Sequence, residues 1–133
     1  MDIGGLDHIV LRTADARRLQ SFYCTVLGCS VEREVVELGL IQLRAGAALI
    51  DIVPVDGELG AKGGAAPAAE GRNLDHFCLW LAQFDEAAIR THLRACGIQA
   101  PAAARRYGAQ GFGPSIYIED PDGNTVELKG PAQ

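Results

Sequence analysis

The stretch Leu6-Asp7-His8-Ile9-Val10-Leu11 recurs near the middle of the chain as Leu74-Asp75-His76-Phe77-Cys78-Leu79. In each copy a Leu-Asp-His triplet leads into a short apolar run, which is the pattern of a buried β-strand. Self-similarity at such a distance indicates that each half of the chain is one supersecondary unit. The repeat therefore predicts two similar modules.

A helix is predicted after each of these strands. In the first half, Asp15 offers a capping oxygen before a helix over 16–27, whose apolar residues fall on one helical face and which Gly28 ends. In the second half, Asp85 is the predicted N-cap and Gly97 follows the last helical turn. Both halves thus begin as strand followed by helix.

Three strand-like segments follow each predicted helix. They cover residues 30–36, 40–43 and 47–53 in the first half, and residues 98–100, 114–119 and 125–129 in the second. The sequence therefore predicts an α+β fold of two βαβββ modules, over 4–53 and 74–130, within a single domain 1–133. Residues 54–73, between the modules, are rich in Gly, Ala and Pro, which predicts a linker or a mobile flap.

Two histidines and two carboxylates stand at matching positions of the repeat. His8 and His76 open equivalent strands, while Asp51 and Glu127 lie inside the apolar runs of the last strand of each half. A carboxylate in a strand interior is costly to bury unless it is paired or bound to a cation. Imidazole and carboxylate together suit Zn, Ni, Co, Mn or Fe(II). We predict one divalent-metal site made by His8, His76 and Glu127, with Asp51 as a candidate fourth ligand.

Strand parity sorts the neighbours of these residues, because successive side chains point to opposite faces. Arg12 shares the strand face of His8, and Cys78 shares that of His76. Asp7 and Asp75 have the opposite parity, so they are expected to point away from the site or to end the strand pairing.

A glycine-rich segment, Tyr107–Gly113, precedes the last two strands. Its composition predicts a flexible flap in which Tyr107 and Phe112 close over a ligand as substrate-binding residues. A plain solvent loop is the alternative interpretation.

Composition excludes several classes of partner. The formal net charge is −5 and the sequence pI is about 5.1, which argues against nucleic acid and against anionic membranes as partners. No apolar run approaches the roughly 20 residues that a membrane span needs. The first residues lack the pattern of a secretory signal, so a cytoplasmic location is expected, with four free cysteine thiols.

The assembled motifs resemble the vicinal-oxygen-chelate superfamily of glyoxalase I, bleomycin-resistance proteins, fosfomycin-resistance enzymes and extradiol dioxygenases. The resemblance rests on both Leu-Asp-His strands, on Ser21-Phe22-Tyr23 with Leu27-Gly28, and on the ending from Glu119 to Leu128. It implies paired modules whose mixed sheets curl into a cup around a metal. It also implies metal ligands at His8, His76 and Glu127, and it places Asp51 where glyoxalase I carries a glutamate ligand.

The resemblance to glyoxalase I has limits in the residues that contact glutathione. Arg12 matches the arginine that holds a glutathione carboxylate, which makes it a candidate substrate-binding residue, with a surface ion pair as the alternative. However, Ile52-Val53-Pro54-Val55 stands where glyoxalase I has an asparagine that contacts glutathione, and Asp51 is one methylene shorter than glutamate. The use of glutathione is therefore left open.

Three hypotheses for the function follow from these residues. The first is a metal-dependent glyoxalase-like lyase or isomerase that binds a small substrate through two oxygens and moves a proton, with Glu127 and Asp51 as catalytic carboxylates. The second is a dioxygenase-like or thiol-transferase-like enzyme that uses only His8, His76 and Glu127. The third is a protein that binds a drug or metabolite without turnover. A homodimer is expected in each case.

Overall fold

The computed structural model describes all residues, Met1–Gln133, and divides the chain into two compact units, Met1–Gly71 and Arg72–Gln133. Each unit holds one four-stranded mixed sheet and one α-helix, which confirms the α+β fold of two βαβββ modules. None of the helices has the length and apolar character needed to span a membrane.

The first unit consists of β1 (His8–Thr13), α1 (Ala16–Thr25), β2 (Ser30–Val35), β3 (Leu40–Ala45) and β4 (Ala48–Pro54), with short 3-10 turns at Val36–Leu38 and Gly60–Gly63. The strand order is β1-β4-β3-β2, with β1 parallel to β4 and the other pairs antiparallel. Asp15 caps α1 by accepting a hydrogen bond from the Arg18 amide at 3.0 Å. The helix buries one apolar face, and the core residues of this unit include Leu19, Phe22, Tyr23, Ile41, Leu43, Ile50 and Ile52.

The second unit repeats this topology with β5 (His76–Trp80), α2 (Glu86–Ala95), β6 (Ala104–Gly108), β7 (Gly111–Glu119) and β8 (Thr125–Lys129). The strand order is β5-β8-β7-β6, with β5 parallel to β8. Asp85 caps α2 through the Ala88 amide at 3.0 Å. The core residues of this unit are Phe77, Leu93, Ile116, Ile118, Val126 and Leu128.

The structure corrects the sequence predictions in the segment after α2. The strand expected at 98–100 is absent, and the edge strand β6 lies further along the chain. The glycine-rich segment expected to be a flexible flap is the turn of a β-hairpin, in which Tyr107 pairs with Phe112 and Gly108 with Gly111. Gly111 has a φ of 102°, which a residue with a side chain adopts rarely, so the glycine there serves the turn.

Candidate metal-binding half-sites

The two units position their histidine and carboxylate by the same strand register. In the first unit, Asp51 on β4 stands opposite Val10, two residues after His8 on β1. In the second, Glu127 on β8 stands opposite Cys78, two residues after His76 on β5. Because side chains alternate across a strand, each histidine shares a sheet face with the carboxylate of its own unit.

The second half-site comprises His76, Tyr117 and Glu127. Glu127 is only 6% exposed, and its Oε2 lies 3.5 Å from Nε2 of His76. Its other oxygen, Oε1, is buried and has no hydrogen-bond partner. Tyr117 stands opposite Glu127 on β7, and its ring meets the His76 ring edge-on at 5.2 Å between centroids. Burial raises the pKa of Tyr117, and the charge of Glu127 adds to that rise.

The first half-site comprises His8, Gln42 and Asp51. Asp51 is 5% exposed, and the Gln42 side-chain amide donates to both of its carboxylate oxygens, at 3.2 and 3.0 Å. This amide fixes the orientation of the carboxylate. The carboxylate of Asp7 raises the pKa of His8, and the charge of Asp51 contributes to the same rise.

The residue before each histidine orients its ring, an arrangement that strand parity did not predict. Asp7 Oδ1 lies 2.6 Å from Nδ1 of His8, and Asp75 Oδ2 lies 2.7 Å from Nδ1 of His76. The two aspartates turn back onto the imidazoles instead of pointing away. With Nδ1 engaged, Nε2 is left as the nitrogen that can bind a metal, and a carboxylate on the other nitrogen is the usual support of a metal-bound histidine.

Each half-site offers a divalent metal only one imidazole and one carboxylate. Neither unit contains a group of three or more His, Cys, Asp and Glu side chains placed to hold a metal by itself. The donor types nevertheless fit a divalent cation. The buried oxygen of Glu127 lacks a hydrogen-bond partner, and Asp7 and Asp75 engage Nδ1 of the two histidines, so Nε2 is the nitrogen that can bind a metal.

Arg12, the candidate contact for a substrate carboxylate, holds a loop of its own unit. Its guanidinium donates to the backbone oxygens of Gly60 at 2.8 Å, Ala65 at 3.0 Å and Gly64 at 2.5 Å. A side chain at Gly63 would meet this guanidinium, since a Cβ there would come 2.3 Å from Nε. Arg12 and Gly63 thus fit together, and the arginine fixes the segment 60–65.

Tyr107 and Phe112, the other two candidate substrate contacts, form an exposed pair on the β6–β7 hairpin. Their ring centroids are 5.1 Å apart, and the guanidinium of Arg105 covers the Phe112 ring at 4.4 Å. The hairpin register assigns them to the sheet face opposite to that of Tyr117 and Glu127.

Cys78 shares the face of Glu127, as strand parity predicted, and the residue as a whole is exposed. Partial desolvation of its thiol, together with the neighbouring charge of Glu127, raises the pKa of Cys78 to about 11. Four other residues of this face were not predicted from the sequence: Arg106, Ser115, Tyr117 and Lys129. Parity on β8 pointed to Lys129, but the position of β6 had to be known before Arg106 could be assigned.

Comparison with solved structures supports the topology over nearly the entire chain. An integron cassette protein from V. cholerae is 29% identical, with a TM-score of 0.75 and coverage of 98% of this chain and 97% of its own. A lactoylglutathione lyase from Agrobacterium tumefaciens is 20% identical, with a TM-score of 0.68 and coverage of 98% and 96%. The fosfomycin resistance protein FosX from Listeria monocytogenes is also 20% identical, with a TM-score of 0.69 and coverage of 96% and 91%. The last two likenesses show the fold alone.

The family itself is identified from the sequence match. The sequence model of the Glyoxalase/Bleomycin resistance protein/Dioxygenase superfamily matches residues 5–128. This range includes both Leu-Asp-His repeats and the strand that carries Glu127. This superfamily includes enzymes that act on small molecules and commonly use a divalent metal, as well as non-catalytic members. With the repeated topology and the repeated histidine–carboxylate register, the chain belongs to the Glyoxalase/Bleomycin resistance protein/Dioxygenase superfamily.

Proposed function

We propose that the protein is a metal-dependent, glyoxalase-like lyase or isomerase that acts on a small substrate. The observation that carries the proposal is the buried Glu127 carboxylate, with one oxygen unpartnered and the other 3.5 Å from Nε2 of His76. A buried carboxylate in this state is costly, and a bound divalent cation offsets that cost.

In this proposal the ligands are His8, His76, Glu127 and Asp51. A metal with three or four protein ligands needs donors from both half-sites, contributed by one chain or by two chains of a homodimer. When bound, the metal would take two neighbouring substrate oxygens and act as a Lewis acid toward them.

The chain's own chemistry in the proposal is proton transfer by carboxylates. Glu127, whose Oε1 has no hydrogen-bond partner, would take the proton from the hydroxyl-bearing carbon of a substrate with adjacent hydroxyl and carbonyl carbons and return it to the former carbonyl carbon. The hydroxyl proton moves to the other oxygen in the same isomerisation, so one C–H and one O–H bond break and one of each forms. Asp51, held by Gln42, is the second carboxylate that would exchange a proton with substrate in this proposal.

Membership of the superfamily supports a lyase-type activity, and so does the presence of two histidines and two carboxylates as candidate metal ligands. The solved neighbour from Agrobacterium tumefaciens is described as a lactoylglutathione lyase, which is a glyoxalase activity. Glutathione as co-substrate is not supported by Arg12, the candidate contact for its carboxylate, because that guanidinium is engaged with the loop 60–65.

A second candidate function rests on Gln42. Its amide occupies both oxygens of Asp51, which favours a site with His8, His76 and Glu127 as the three protein ligands. Three ligands leave positions open for O₂ or a thiol, as dioxygenase-like or thiol-transferase-like chemistry requires.

Metal analysis of the purified protein, expressed without added metal, tests both proposals. One Ni, Zn or Co per site, lost in the Glu127→Gln and His76→Ala variants but kept in His92→Ala, supports the metal site. Loss of that metal in Asp51→Asn as well supports the four-ligand lyase, whereas iron retained by Asp51→Asn with O₂ uptake on catechols supports the second candidate. Wild-type protein that binds none of these metals in a calorimetric titration would overturn both.

A further inference from the structure

Two cationic side chains lie on the sheet face of the second unit that carries Glu127. Lys129 follows Glu127 by two residues on β8, so both side chains lie on the same face. Arg106 on β6 lies on this face too, as the pairing of β6 with β7 and of β7 with β8 shows. Lys129 is 6% exposed and Arg106 is partly buried. Lys129 donates to a backbone oxygen, and Arg106 donates to the hydroxyl and the carbonyl of a serine. None of these hydrogen-bond acceptors is a carboxylate.

The chain is shaped to hold Lys129 in this position. Its Nζ donates to the backbone oxygen of Arg106 at 3.0 Å. Glycines flank its stem: a Cβ at Gly108 would come 2.6 Å from Cε, and one at Gly113 would come 2.9 Å from Nζ. The ammonium has three donor hydrogens and uses one in the hydrogen bond to Arg106, so two remain available to a ligand.

Arg106 is fixed beside the half-site of Glu127. Its Nη1 donates to the side-chain and backbone oxygens of Ser115, at 2.8 and 3.1 Å, and its guanidinium covers the Tyr117 ring at 4.4 Å. The same Tyr117 ring also packs against the His76 ring. The Nε and Nη2 donors of Arg106 make no hydrogen bond within the protein, and they sit on a guanidinium that is already oriented.

Arg106 contacts Ser115, and Lys129 stands opposite Ser115 in the β7–β8 pairing, so two cations with unused donors lie around one serine on this face and form a binding arrangement for an oxyanion. The only hydrogen-bond partner of the buried Lys129 ammonium is a backbone oxygen, and a buried cation without a carboxylate in contact is unfavourable until an anion binds to it. An arginine fork and an ammonium both suit carboxylate or phosphate oxygens. Arg105 gives the contrast: it lies on the opposite face, over Phe112, with Nη2 donating to the Gln133 backbone oxygen.

We propose that Arg106, Lys129 and Ser115 form a subsite for an acidic oxyanion group of the ligand, on the sheet face that carries His76 and Glu127. The assignment of that ligand as a substrate rests on the proposed function, but the affinity for an oxyanion does not. The substrate would then be an anionic molecule, with its carboxylate or phosphate beside Tyr117 and its chelating oxygens toward Glu127.

The test uses the full chain, freed of metal so that no anion binds through a metal, and titrates it with inorganic phosphate and separately with acetate. Binding is followed by calorimetry and by NMR shifts of the backbone amides of β6 and β8. We expect saturable binding of at least one anion, weakened about tenfold or more in Arg106→Gln and changed less than about twofold in the matched Arg105→Gln control. Phosphate binding without acetate binding assigns the phosphate class, and the reverse assigns the carboxylate class.

Equal weakening by Arg105→Gln and Arg106→Gln would overturn the subsite, since that result describes general charge attraction. Absence of binding by either anion would overturn it too. Lys129→Met keeps most of the side-chain volume and should weaken anion binding as Arg106→Gln does. If Lys129→Met fails to fold, the comparison of Arg106→Gln with Arg105→Gln decides the test. Glu127→Gln should bind the anion at least as well as wild type, so loss of the metal and loss of the anion are separate failures.

Discussion

His76 and Glu127 face each other across the parallel β5–β8 pair, with Nε2 of the imidazole 3.5 Å from Oε2 of the carboxylate. The other imidazole nitrogen is already engaged by Asp75 at 2.7 Å, and the other carboxylate oxygen is buried without a partner. A buried carboxylate oxygen without a partner is unfavourable, and a bound cation would relieve that cost. Its energetic consequences can be measured in the metal-free state.

Replacing Glu127 by glutamine should leave the metal-free protein at least as stable as wild type at neutral pH. The change removes a buried charge whose desolvation only partly finds compensation. Added metal should stabilise wild type by about 4 kcal/mol at a concentration 1,000 times its Kd, and should leave the variant unchanged. Urea unfolding with and without Ni or Zn measures both effects.

Glu119 provides the matched control, because it lies on the same strand face as Tyr117 but is exposed. Glu119→Gln should retain the full stabilisation by metal. A Glu127→Gln protein that is stabilised by metal as strongly as wild type would show that this carboxylate is not a ligand.

The aspartates before the two histidines should contribute to metal affinity without binding the metal. Asp75→Asn and Asp7→Asn remove the charged partner of Nδ1, and the loss of such a partner typically weakens metal binding about 10- to 100-fold. Competition titration with a chromophoric chelator gives the affinity. Asp56→Asn, at an exposed loop position, should leave the affinity unchanged, and an equal effect of all three substitutions would argue against the orienting role.

Much of this arrangement was predictable from the repeat and from strand alternation. The duplicated Leu-Asp-His and the carboxylates inside apolar runs placed His8, His76, Asp51 and Glu127 on the correct strands. The contact of Asp7 and Asp75 with the histidines was not predictable from parity, since their short side chains turn back along the strand end.

The edge of the second sheet was the harder part. The apolar residues Ile98 and Ala100 indicated a strand, but pairing with β7 settles instead on Ala104–Gly108, a segment with two arginines. Tertiary pairing outweighed local propensity there. In the observed pairing, the glycines at 108 and 113 leave room for the side chain of Lys129. The location of Arg106 followed from that pairing and from no local pattern.

Arg12 should act as the clamp of the loop 60–65. Arg12→Gln removes most of the hydrogen bonds to Gly60, Gly64 and Ala65, so the backbone of this loop should exchange its amides faster and be cut more readily by protease. Hydrogen exchange followed by mass spectrometry measures the change peptide by peptide. Arg18→Gln, on the exposed side of α1, is the control and should leave the loop peptide as in wild type. Unchanged exchange in Arg12→Gln would free Arg12 for the substrate role suggested by the family resemblance.

Cys29 should resist alkylation at pH values where an ordinary thiol reacts. Burial, with a smaller contribution from Cys24, raises the pKa of Cys29 from 9.0 to about 11. Because the thiolate is the reactive form, iodoacetamide at pH 8 should modify Cys29 about 100-fold more slowly in the folded protein than in urea. Because its pKa is higher in the folded state, folded Cys29 keeps its proton to a higher pH than unfolded Cys29 does. The contribution of Cys29 to stability is therefore complete below pH 9 and falls as the pH rises from 9 toward 11, an effect that Cys29→Ala should remove. Peptide mapping with light and heavy reagent gives the rates, and equal rates in the folded and denatured protein at pH 8 would contradict the shift.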